Sequence, residues 1–111
     1  MFNKFIRPTF GQSFRGKIVL YPAEIRAGEV IRIQLSDFDT LQKVTVSILD
    51  SMENQLFSNI YQTSDKGGLS ENIVVDTENL EIGCYTVKAK GKSMDTEGVV
   101  SRQFDVIGKN A

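Results

Sequence analysis

Apolar and polar positions alternate along this chain in one short run after another, beginning with Lys17-Ile18-Val19-Leu20-Tyr21, which Pro22 closes. A period of two sends successive side chains to opposite faces, so each such run predicts a half-buried strand. Pro22 to Glu29 reads as a turn in which Gly28 supplies the permissive backbone. Ile31, Ile33 and Leu35 then alternate with Arg32 and Gln34, and after Asp37-Phe38-Asp39 the residues Val44, Val46 and Ile48 alternate with Thr45 and Ser47. Asp50 to Asn54 turns the chain into a fourth strand, Leu56 to Gln62, whose pattern leaves two registers open: Leu56 and Ile60 inward, or Phe57 and Tyr61 inward. Lys66-Gly67-Gly68 interrupts the chain, Ile73 to Val75 resumes it, and Asp76 to Gly83 connects to a strand on which Tyr85, Val87 and Ala89 share the inward face. The last strand, Val99 to Val106, sets Val100, Phe104 and Val106 against Ser101, Gln103 and Asp105. Seven short strands without a long amphipathic helix predict an all-β sandwich, with a small closed barrel as the structural alternative.

Leu80, Gly83 and the inward Tyr85 stand as they do at the start of the penultimate strand of an immunoglobulin-like sandwich, where the tyrosine hydroxyl ties back to nearby backbone. That spacing predicts a hydrogen bond from Tyr85 into the Asp76 to Gly83 connection. The order Tyr21-Pro22-Ala23-Glu24, Ala27-Gly28-Glu29-Val30, a valine-rich strand ending in Asp50, Gly83-x-Tyr85-x-Val87 and Phe104-x-Val106 resembles the macroglobulin-type and related bacterial immunoglobulin-like domains. The resemblance runs from about residue 21 to residue 106. It implies an immunoglobulin-like β-sandwich of about seven antiparallel strands, serving as a non-catalytic structural or protein-interaction module of a larger cell-envelope or extracellular protein. The thioester cysteine-glutamine signature of the inhibitor members is missing from the sequence, and charges and Pro8 break the N-terminal segment before a signal-peptide core can build.

A chain of 111 residues, 41% apolar and 24% charged, fits one globular domain that buries its core without staples. The expected division is an aromatic and basic arm over residues 1–16, the sandwich over 17–107 and a tail over 108–111. No apolar run is long enough to span a bilayer as a helix. Cys84 is the only cysteine, which rules out an internal disulfide, and it is read as a small residue on an outward or edge face. The sequence has no histidine, so Ser-His-Asp and Cys-His nucleophile systems and the commonest zinc ligand sets are excluded. Lys4, Arg7, Arg15 and Lys17 all precede the first acidic residue, Glu24, yet they are thinly spread ahead of an acidic body, and nucleic acid is not expected as a partner. Gly11 to Lys17 has the glycine and lysine spacing of a phosphate-binding loop, but Ile18 stands where the hydroxyl belongs and a strand follows instead of a helix. No cofactor is expected.

Two groups of residues remain as candidates for function. Asp37 and Asp39 lie in the loop after the third run, Asp95 and Glu97 in the loop before the last strand, and Asp65 in the loop after the fourth. Sandwich topology would gather these loops at one end, and clustered carboxylate oxygens suit calcium, which makes a calcium- or ligand-binding adhesion-type domain the alternative function. The second group is Phe2, Phe5, Phe10 and Phe14, four of the seven phenylalanines, all within the basic arm. Apolar surface of that extent is expected to bury itself, against its own sandwich, a neighbouring domain or protein partner, or a second copy of the chain.

Overall fold

The computed structural model describes residues 14–78 and 80–108. They form eight strands and no helix: β1 (Lys17–Tyr21), β2 (Glu24–Arg26), β3 (Val30–Ser36), β4 (Lys43–Leu49), β5 (Gln55–Gln62), β6 (Ile73–Asp76), β7 (Gly83–Ser93) and β8 (Thr96–Ile107). One sheet runs β1-β3-β6, and the other runs β2-β8-β7-β4-β5. Every pairing is antiparallel except that of β2 with β8. The fold is therefore all-β, with two sheets enclosing one core.

The alternation read from the sequence sets which side chains enter that core. Ile18, Leu20, Ile31, Ile33, Leu35 and Ile73 come from the smaller sheet, and Val44, Val46, Ile48, Tyr85, Val87, Ala89, Phe104 and Val106 from the larger. In the fourth run the open choice falls to Phe57 and Tyr61, which pack against the core, while Leu56 and Ile60 are exposed.

Two features depart from the sequence reading. An eighth strand, β2, replaces part of the expected turn after Pro22, and it buries Ile25 while pairing parallel with the end of β8. Three residues are too few for a periodic signal, and only the open flank of β8 makes this segment a strand. The β7–β8 hairpin also runs further than its apolar residues indicate, with ladder pairs continuing to Ser93↔Thr96. At the start of the described residues Phe14, from the expected arm, packs against this domain's own core, one of the placements open to the arm, and the Arg15 amide is bonded to Ser93.

At the end where β7 begins, the Tyr85 hydroxyl donates to the Glu81 carbonyl at 2.6 Å, the tie-back that the glycine-to-tyrosine spacing predicts. The ring stacks on Phe104 across the ladder, with centroids 5.4 Å apart. Burial, followed by the nearby Glu81 and Asp50 carboxylates, pushes the phenol above its ordinary value. An acid whose folded value is raised holds its proton more tightly when folded. Its contribution is therefore complete below about pH 10 and is lost as pH climbs through the folded value. Tyr85→Phe is expected to lower stability by about 0.5–1.5 kcal/mol in urea titrations at neutral pH. It should also flatten the alkaline limb of the stability profile, and an unchanged midpoint together with an unchanged limb would contradict the assignment.

Candidate loop-end site

Asp37, Asp39 and Asp95 do come to one end of the sandwich, and backbone hydrogen bonding decides what each does there. Met94 and Asp95 are the two tip residues of the β7–β8 hairpin, and both have positive φ, 54° and 60°. A two-residue tip with both φ angles positive is a type I′ connection, which favours Asn-Gly, and a non-glycine residue in that region costs roughly 1 kcal/mol or more. Asp39 offsets the strain from the neighbouring loop. Its Oδ1 accepts the Met94 amide and its Oδ2 accepts the Asp95 amide, each at 2.9 Å.

The other acidic candidates are placed differently. Asp37, itself at φ 64°, has Oδ2 3.7 Å from Lys17 Nζ, with more than half of either side chain exposed. Such a pair contributes only tenths of a kcal/mol. Glu97, expected in the loop, lies inside β8 opposite Lys92, because the hairpin is longer than its apolar pattern. Asp65 is exposed in the segment between β5 and β6. Among the described residues, no three Cys, Asp or Glu side chains come together as ligands for a metal ion.

The sequence reading missed the groups that hold this end together. Among the described residues the buried polar side chains are Thr63, Thr77 and Ser93, and each hydroxyl both donates and accepts. Ser93 Oγ donates to the Asp37 carbonyl at 2.6 Å and accepts the Arg15 amide at 2.9 Å. Thr63 Oγ1 donates to the Asp39 carbonyl at 2.7 Å and accepts the Gln42 amide at 2.9 Å. At the opposite end, Thr77 Oγ1 donates to the Glu29 carbonyl at 2.6 Å and accepts the Gly28 amide at 3.2 Å. A signal for them exists. Each falls on the inward parity of its strand, Thr63 and Thr77 directly after the last large apolar residue and Ser93 after the small Ala89 and Gly91, where a hydroxyl meets loop backbone instead of core.

Phe38 follows Asp37 and closes the core at this end, with Phe14 edge-on to it at 5.7 Å between centroids. Glycines make the room. A Cβ on Gly16 would lie 2.6 Å from the Phe38 ring, one on Gly98 would lie 2.6 Å from the Phe14 ring, and one on Gly67 would lie 2.3 Å from the Phe38 carbonyl oxygen. Gly16 in the phosphate-loop spacing thus makes room for an aromatic ring. Of the arm candidates, Phe14 belongs to the domain's own packing, whereas Phe2, Phe5 and Phe10 lie outside the described residues.

An open groove of about 760 Å³ runs along this end, lined by Arg15, Lys17 and Lys66 beside Asp37, Phe38 and Met94. Cys84 lies away from it, half-buried in β7. Burial first, and then the adjacent Asp105, pushes its thiol up, away from the thiolate that reactivity requires. No helix among the described residues is long and apolar enough to cross a membrane. Compared with models of known protein families and with curated proteins, the chain matches none.

Proposed function

We propose that this chain is an immunoglobulin-like β-sandwich acting as a non-catalytic structural or protein-interaction module, part of a larger protein or assembly of the cell-envelope or extracellular type. Strand order supports the fold reading: β1-β3-β6 faces β2-β8-β7-β4-β5, the chain changes sheet between β1 and β2, and Tyr85 is tied to Glu81. The functional reading is carried by the direction of the polar chemistry at the loop end. The side chains of Asp39, at the surface, and of the buried Thr63 and Ser93 are all spent on loop backbone. The polar groups thus make a rigid tip, suited to presenting a surface or joining a neighbour. Phe2, Phe5 and Phe10, leading into the anchored Phe14, are the apolar element offered to a neighbouring domain or protein partner.

The alternative, calcium or ligand binding through Asp37, Asp39, Asp95 and Glu97, draws on the convergence of the first three at one end. Millimolar calcium is expected to leave the melting temperature unchanged and to give no heat in calorimetric titration. A native state that binds the ion must instead gain RT ln(1 + [L]/Kd), and a calcium-dependent rise would replace the interaction reading with the alternative. The arm is tested by substituting Phe2, Phe5 and Phe10 with Ser in the full chain. Loss of binding to an apolar fluorescent dye with no change in melting temperature is expected. A large drop in melting temperature would instead assign those rings to the domain's own core.

A further inference from the structure

The two sheets have four edges among the described residues, and three of them are blunted in ways that discourage pairing with another chain. The β1 edge is five residues long, carries Lys17, and has its Ile18 carbonyl covered by the Arg102 guanidinium at 3.2 Å. The β2 edge is three residues long with charges at both ends, Glu24 and Arg26. The β6 edge is four residues long and ends in Asp76. The fourth edge differs. β5 is eight residues long, Gln-Leu-Phe-Ser-Asn-Ile-Tyr-Gln, with no charge and no proline. Its one irregularity is a register shift at its start, where Leu56 is the extra residue, so Phe57 to Gln62 pair regularly with β4.

The free rim of β5 has a definite composition. The Ile60 amide bonds Asn59 Oδ1 at 2.9 Å, which turns it away from the β4 ladder, and alternation gives the Ser58 and Gln62 backbone groups the same outward direction. On the outer face Leu56 and Ile60 are 47% and 60% exposed, with Ser58 between them. On the inner face Phe57 and Tyr61 flank Asn59. Both faces therefore read apolar, polar, apolar in either direction.

We propose that β5 is a self-pairing edge, through which two copies of this chain associate antiparallel about a two-fold axis at Ser58. An isologous interface needs a surface complementary to itself, and about Ser58 the outer face of this strand is one. On the outer face Ser58 meets Ser58 of the second copy and Leu56 meets Ile60 in both directions, as cross-strand apolar pairing favours, while on the inner face Phe57 meets Asn59. The absence of charge on β5 removes the like-charge contacts that such symmetry would otherwise create. Antiparallel pairing also carries Lys43, beside Gln62, toward the β4–β5 turn of the second copy, where Asp50 and Glu53 lie, and it does so twice. The larger sheets then continue across the axis, and the short charged β2 at each far edge stops growth.

This proposal names one surface for the interaction reading and rests on it. A single strand pair with two flanking apolar contacts is smaller than a standard interface, so dimerisation is expected between about 10 μM and about 1 mM. Sedimentation velocity of the full chain over that range should show a concentration-dependent dimer, with exchange protection gained at the Ser58 amide. Ser58→Lys places like charges opposite each other and should weaken association at least about tenfold. Ser58→Glu should do the same, and mixing the two variants should restore a dimer. Position 58 is exposed, so the melting temperature of the dilute monomers serves as the folding control. A wild-type chain monomeric throughout, or Ser58 variants that associate as well as wild type, would overturn the proposal. If association survives Ser58→Lys but disappears when Phe2, Phe5 and Phe10 are replaced by Ser, the arm is the contact, and the interaction reading stands without this edge.

Discussion

Cutting the Phe38 ring back to a methyl group is expected to destabilise the domain by about 3–5 kcal/mol, the range for a buried Phe→Ala change. Phe38 is 4% exposed and stands where both sheets end, over Val44 and the small residue Gly91, with Phe14 edge-on to it. Residues on either side cannot fill the space, because both are committed to backbone bonding: the Asp37 carbonyl to Ser93 and the Asp39 carbonyl to Thr63. The loss should appear as a melting temperature lower by roughly 12–40 °C, given about 4–8 °C per kcal/mol for a domain of this size. Urea titration of Phe38→Ala and Phe38→Leu gives the measure, with Leu recovering part of the loss. A cost under about 1 kcal/mol for the alanine variant would mean that the ring lies on the core without closing it.

Gly67→Ala is expected to cost about 3 kcal/mol through a different mechanism, backbone conflict instead of a cavity. Gly67 adopts φ +80°, and a Cβ there would stand 2.3 Å from the Phe38 carbonyl oxygen. A backbone atom cannot rotate aside as a side-chain end would. The same loop is fixed from the other direction, since the Gly67 carbonyl accepts the Phe38 amide at 3.1 Å. The substitution therefore has to strain residue 67, displace the β3–β4 loop, or break that bond. Displacement carries Asp39 with it and releases the tip amides of Met94 and Asp95, so faster exchange of those two amides in Gly67→Ala is the accompanying sign. A fully stable variant with unchanged exchange would show that the loops move independently.

The inward positions were legible wherever a run was long enough for its period to show. Ile31, Ile33 and Leu35, then Val44, Val46 and Ile48, then Tyr85, Val87 and Ala89 alternate with polar residues, and burial of that parity against water is a property of the pattern itself. The Tyr85 tie-back was legible too, because donor and acceptor lie four residues apart and local geometry decides the contact.

Other features were decided only by neighbours distant in the chain. In β5 both parities carry large apolar side chains, so the strand's own pattern is symmetric; pairing with β4 chose Phe57 and Tyr61 for the core and left Leu56 and Ile60 outside. β2 exists because β8 offers an unpaired flank beside Ile25. Asp39 looked like a metal ligand because a carboxylate has the same oxygens whether a cation or two amides approach it. Its role was settled by a hairpin tip 55 residues away that needed those amides held. Charge and period are written into the sequence because they belong to single residues and their near neighbours. The partner of each polar group is a matter of which distant backbone the fold brings within 3 Å of it, and only the tertiary structure decides that.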